Sequence, residues 1–135
     1  FPTTTVGIKG ILNQLKQGGV SAILPDQVPA EGAGVINSSF FGNPIRYMSL
    51  AQRIIQKTGC NVVMASVTRK LSTNKLYYNL SFRQPFSDLY SPDPSAHGNA
   101  LKKSIEQVVV DSPEQYQWEY KRFRRQPSGA KFYKH

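Results

Sequence analysis

Cysteine, histidine and carboxylate are all scarce in this chain. Its 135 residues include one cysteine, Cys60, and two histidines, His97 and His135. A lone thiol excludes an internal disulfide and favours a reducing compartment. Three scattered sulfur and imidazole groups match no metal-ligand spacing, so no metal site is expected. Cys60, following Gly59 at a strand entrance, reads as a small buried apolar residue. His97 sits in a Pro/Ser/Gly loop or frayed helix start with no carboxylate at a near spacing on its helical side and reads as a surface residue; His135 ends the chain and is given no role. There is no G-x-S-x-G turn, no G-x-x-x-x-G-K-[ST] loop and no G-x-G-x-x-G after a strand, which removes the common nucleophile and phosphate-cradle architectures. The chain thus holds no self-contained catalytic set and implies no cofactor. No apolar run approaches the length of a membrane span, and no signal-peptide pattern is visible. Internal repeats and low-complexity blocks are also missing.

What is plentiful is positive charge. Seventeen Lys and Arg face eight Asp and Glu, a formal net charge of +9. That balance favours anionic partners: nucleic acid, an anionic bilayer surface or an acidic protein. With 39% hydrophobic and 19% charged residues, the chain suits one globular domain, 1–135, with a core of its own. Residues 128–135 read as a loosely held basic tail. The chain opens at Phe1 and not at Met, which suggests a fragment or a processed product.

In chain order, Thr5 is placed to cap a helix over residues 6–17, with Ile8, Ile11, Leu12 and Leu15 on one face and Gly18-Gly19 ending it. Residues 20–24 form a short apolar run of strand length, the second half of a parallel αβ unit. Residues 25–44 read as a long irregular loop, and such loops are often functional. Asp26 and Gln27 then fall just past a strand's carboxyl end, where open α/β sheets place ligands; the alternative is that Asp26 only caps a turn after Pro25. Phe40 and Phe41 read as plugs onto the body or as part of an apolar channel wall. A second helix spans 48–58, residues 61–82 form a hairpin turning at 71–75, and a third helix spans 95–110.

Residues 112–127, SPEQYQWEYKRFRRQP, carry the densest signal. Tyr116, Trp118 and Tyr120 alternate as in a strand, but Ser112, Pro113 and Gln115 form a helix-start pattern, so a terminal helix is expected. It would place Arg122 over the Trp118 ring as a cation–π pair. Lys121, Arg122, Arg124 and Arg125 exceed what a helix C-terminus needs, and phosphate is the first anion they suit.

The segments IxPDQVPxEGxGV, FFGNP, TG-C-NVV and PEQYQWEYKRFRRQP, in this order and spacing, resemble the C-terminal half of bacterial lipid A biosynthesis acyltransferases, the lauroyl and myristoyl transferases. The resemblance implies an α/β fold of the glycerolipid-acyltransferase-like kind, here an incomplete mixed sheet flanked by helices with the N-terminal half missing. It implies an enzyme at the cytoplasmic face of the bacterial inner membrane. The enzyme moves an acyl chain from acyl carrier protein to a hydroxyl on a phosphorylated lipid A precursor at an anionic membrane surface. In the family a His with a nearby Asp or Glu deprotonates that hydroxyl; the dyad and the membrane anchor lie upstream of the matched region. No catalytic residue is therefore assigned here, and the isolated chain is expected to be inactive. Carried across, the resemblance makes Asp26 and Gln27 the border of the acceptor site. It places Arg69 at a strand end, with Thr68 where the family keeps an acid. It gives Lys121, Arg122 and Arg124 to lipid phosphates or the carrier, and Glu114, Tyr116 and Trp118 to the structural signature, with Glu114 an internal anchor. The alternative is a small basic nucleic-acid-binding protein, in which Trp118 and Arg122 would stack bases. No nucleic-acid motif supports it, and nucleic acid is not the expected partner.

Overall fold

A computed structural model describes residues 5–30 and 34–133. Phe1–Thr4, Glu31–Ala33 of the long loop, and Lys134 and His135 of the tail lie outside them. Helix α1 spans Thr5–Lys16, strand β1 Val35–Phe40, β2 Asn43–Met48, helix α2 Leu50–Thr58, β3 Met64–Ser72, β4 Lys75–Arg83 and helix α3 Pro94–Asp111. Short 3₁₀ turns cover Ser87–Tyr90 and Pro113–Gln115. The class is mixed α/β. The single mixed sheet is corrected: β1–β2 and β3–β4 are two separate antiparallel pairs.

The 20–24 strand is also corrected. These residues are irregular, with Val20 84% exposed, because no neighbouring strand among the described residues takes up their main-chain groups. The parallel αβ unit falls with it. The loop after it contains a hairpin instead. Ile36, Phe40, Ile45 and Tyr47 alternate inward and are buried, and the two-residue turn uses Phe41 and Gly42, both at positive φ, as such turns require. Glu106 of α3 fixes that turn by accepting the Phe41 N–H at 2.6 Å.

Helix α3 lies across β1. It starts at Pro94, capped by Asp93, whose carboxylate accepts from the Ser95 and Ala96 N–H groups. Gly98 lets the helix approach closely: a Cβ there would stand 2.7 Å from Cγ2 of Ile36. Phe40, Ile45, Tyr47, Leu89, Leu101 and Ile105 form the heart of the core. Phe40 plugs the body as expected, whereas Phe41 is half-exposed. Cys60 is partly buried against the same cluster. His97 is not a surface residue. It is fully buried, with Nδ1 2.7 Å from the Leu89 carbonyl oxygen, because the 3₁₀ turn of residues 87–90 folds over the first turns of α3.

The β3–β4 hairpin occupies the predicted place, turning at Thr73-Asn74. It is tied to the body by Met64 packing on the core, by an Arg83–Asp111 ion pair, and by Gln115. The Gln115 side chain accepts the Arg69 N–H at 2.6 Å and donates to the Arg69 carbonyl at 3.1 Å. No described helix is long and apolar enough to cross a membrane.

Candidate functional site

The expected terminal helix does not form. After Ser112 the chain makes one 3₁₀ turn and then a series of turns through residue 127. Tertiary burial of aromatic rings overrides the capping pattern here. Tyr116 and Phe123 both reach back to Phe40, with ring centroids 5.7 and 6.2 Å apart. In a helix Tyr116 and Phe123 would share a face about 10 Å apart along it, with Arg122 turned away from that face; the turns instead bring both rings to the one Phe40 ring and Arg122 to Tyr47. Glu114 is exposed in the 3₁₀ turn and anchors nothing there; its neighbour Gln115 does. Trp118 closes its own turn, donating Nε1–H to the Pro113 carbonyl at 2.7 Å, and packs edge-on to Tyr116 at 4.9 Å.

The expected Arg122–Trp118 pair is replaced by another. Arg122 is 3% exposed and lies over the Tyr47 ring, 4.7 Å from its centroid. Its Nη1 donates to the Arg46 carbonyl at 3.4 Å, while Nε and Nη2 are buried and bond to nothing among the described residues. No carboxylate lies within ion-pair distance of it; Arg83–Asp111 is the one ion pair among the described residues. Burying a cation costs several kcal/mol even after relaxation. A desolvated cation–π stack returns about 2 kcal/mol, and one long hydrogen bond less. Arg122 is therefore a buried guanidinium with donor capacity to spare. Next to it, Arg46 Nε is likewise buried and unbonded, and the buried Tyr47 hydroxyl has Arg122 itself as a polar neighbour. Burial pushes the Tyr47 phenol well above its ordinary range, against the pull of Arg122.

The loop bearing Asp26 closes on the same place. Asp26 sits in a turn and not at a strand end, and its carboxylate faces the Tyr116 hydroxyl. Burial first, and then the Asp26 charge, push the Tyr116 phenol up to about 12, with Arg122 opposing. Tyr116 thus stands between Asp26 and Arg122. Two further bonds hold the loop: Val28 N–H donates to the Tyr120 hydroxyl at 2.9 Å, and Arg125 donates to the Pro29 carbonyl at 2.8 Å. Gln27 is exposed at the bend beside Asp26. Arg124 is exposed and lies 5.1 Å over the Tyr120 ring, and exposed Lys121 lies 5.9 Å over Tyr133.

Asp26, Tyr116, Arg122 and Arg124 are thus brought together by sequence-distant segments. Arg69 is not brought to them directly. It lies within β3, not at its end, opposite Tyr78, and only its main chain is linked to this region, through Gln115. Tyr47 and Arg46 escape sequence reasoning; the alternation of Ile45 and Tyr47 was the available signal.

A family model described as bacterial lipid A biosynthesis acyltransferase matches residues 3–125. No curated protein matches the chain.

Proposed function

Because the chain belongs to the bacterial lipid A biosynthesis acyltransferase family, we propose that it forms the acceptor-holding part of an enzyme that moves an acyl chain from acyl carrier protein to a hydroxyl of a phosphorylated lipid A precursor. In this reading the fold is the C-terminal part of a glycerolipid-acyltransferase-like domain. The His-acid dyad that takes the proton is supplied by polypeptide outside this chain, and the enzyme works at the cytoplasmic face of the bacterial inner membrane.

One observation carries the reading: Arg122 is buried without a carboxylate partner and keeps two donors unbonded. A guanidinium in that condition is suited to a phosphate, which it meets with a planar pair of N–H donors. Arg46 lies on the same hairpin, and exposed Arg124 and Lys121 stand where they draw an anion toward it. The Asp26 loop, held by Tyr116, Tyr120 and Arg125, forms the opposite border. Gln27 at the exposed bend is positioned for the polar sugar face of an acceptor.

The test separates binding from packing. Arg122→Met keeps the length of the side chain over Tyr47 and removes the buried charge. Its melting temperature should equal or exceed that of the parent, since an apolar replacement of an uncompensated buried ion is commonly neutral or stabilising. Its affinity for a phosphorylated lipid A precursor should fall roughly tenfold to a hundredfold, the loss of charged hydrogen bonds. Unchanged acceptor affinity together with unchanged melting removes Arg122 from the site.

A further inference from the structure

A guanidinium carries five N–H groups in one plane, and those already engaged decide what it can still bind. On Arg122 only Nη1 is engaged, by the Arg46 carbonyl at 3.4 Å. Nε and Nη2 are both buried and unbonded. Nε–H and the nearer N–H of Nη2 lie side by side on one edge of the plane and point the same way. Together they make a fork that meets two oxygens carried by a single atom. A bond at Nε would have broken that fork; the bond at Nη1 leaves it whole. No described carboxylate stands within ion-pair distance to fill it.

Two adjacent residues of β2 hold the group in place. The Tyr47 ring lies against it, with its centroid 4.7 Å from Cζ, and the Arg46 carbonyl takes the tip at Nη1. Tyr47 is itself fixed: it is 0% exposed, pairs opposite Ile36 of β1 and belongs to the central core cluster. A ring and a carbonyl from neighbouring positions of one paired strand cannot drift apart, so the guanidinium keeps one place relative to the hairpin. Holding a charged fork in place before its ligand arrives removes an ordering cost from binding. A lysine at 122 would bring a point charge to the same ring and no fork. We propose that Tyr47 is the positioning residue of the phosphate site. Its ring, with the Arg46 carbonyl, presents the Nε/Nη2 edge of Arg122 to two oxygens of one phosphate on the acceptor. This rests on the reading of Arg122 as the phosphate holder, and adds which edge binds and what aims it. The ring does the aiming; the Tyr47 hydroxyl is not required.

Binding of the full chain to a phosphorylated lipid A precursor, and to the same molecule with its phosphates removed, tests it. The parent should prefer the phosphorylated form at least about tenfold. Tyr47→Phe, which keeps the ring, should retain that preference. Tyr47→Met fills the space without a π face, and Arg122→Lys keeps the charge without the fork. Each should reduce the preference about tenfold, with affinity for the dephosphorylated form as in the parent. A purely structural part for Tyr47 would move both affinities together. Should Tyr47→Met fail to fold, the Nε–H resonance of Arg122 decides, identified by its absence from Arg122→Lys. It should lie upfield in the free protein, under the ring current of Tyr47, and move downfield with the phosphorylated precursor alone. A resonance without the ring-current shift, or one that the phosphorylated precursor leaves unmoved, overturns the proposal. So does parental preference in folded Tyr47→Met or in Arg122→Lys, or its loss in Tyr47→Phe. If Arg122→Lys keeps the preference and Arg122→Met loses it, charge alone serves: this inference falls and the phosphate reading stands. Arg122→Met with the parent's preference removes the phosphate reading itself.

Discussion

At the scale of the residue, two titratable groups, one partly and one fully buried, behave in opposite ways. Tyr116 is raised to about 12 and stays protonated throughout the range in which the protein would be handled. His97 is lowered from 6.5, by burial, with the Leu89 carbonyl opposing. Its Nε2 is buried and unbonded, so protonation would put a charge where nothing receives it. The folded state therefore binds its proton less readily than the unfolded chain does. The stability that neutral His97 allows is complete above the unfolded pKa of 6.5 and is lost as pH falls below it, through the lower folded pKa. Melting temperature should drop between about pH 7 and about pH 5, and a His97→Gln variant, which cannot charge, should show a shallower drop. Parallel curves for the two proteins would contradict this. The sequence concealed His97's position because the nearest carboxylate in the chain, Asp93, caps the helix and leaves the ring to another partner. Its partner is a carbonyl in the 3₁₀ turn of residues 87–90, which has no signature beyond a Pro- and Ser-rich composition.

At the scale of the element, legibility followed how local each signal was. Helices α1, α2 and α3 and the β3–β4 hairpin were readable because periodicity, caps and a polar turn all lie within a few residues. Residues 20–24 were misread because an apolar run says nothing about whether a partner strand is available. Residues 112–127 were misread because a sound cap at Ser112 and Pro113 competes with aromatic burial against Phe40, a residue more than seventy positions away. The candidate site suffered in the same way: Asp26, Tyr116, Arg122 and Arg124 were found individually, but the Tyr47 stack was not. Gly98 is the element-scale test. On propensity alone Gly98→Ala should strengthen α3 by about 1 kcal/mol. The Ile36 Cγ2 contact at 2.7 Å predicts the reverse, because overpacking costs about 1–3 kcal/mol. A lower melting temperature supports close packing of α3 on β1; a higher one places slack between them.

At the scale of the whole molecule, the charge of +9 favours anionic partners, and the proposed reading leaves proton abstraction to polypeptide outside this chain. His97, the one internal histidine, is buried and engaged with main chain. On the proposed reading, in which the dyad lies outside this chain, the isolated chain should transfer no acyl group when given acyl carrier protein loaded with its acyl chain and a lipid A precursor. Product above a no-protein control would refute that and would place a competent base among these residues.

The grip of Gln115 on Arg69 has an effect beyond holding the hairpin in place. In an antiparallel ribbon the N–H and carbonyl of one residue point to the same side, so the groups taken by Gln115 are those on the border of β3 away from β4. That border is stoppered at its midpoint by a side chain. The other border has no such plug, since no main-chain hydrogen bond leaves β4 outward among the described residues. An additional strand, whether from a binding partner or from a misfolded neighbour, meets an obstacle beside β3 at Arg69 and none at the corresponding place beside β4, so this ribbon favours growth on its β4 side.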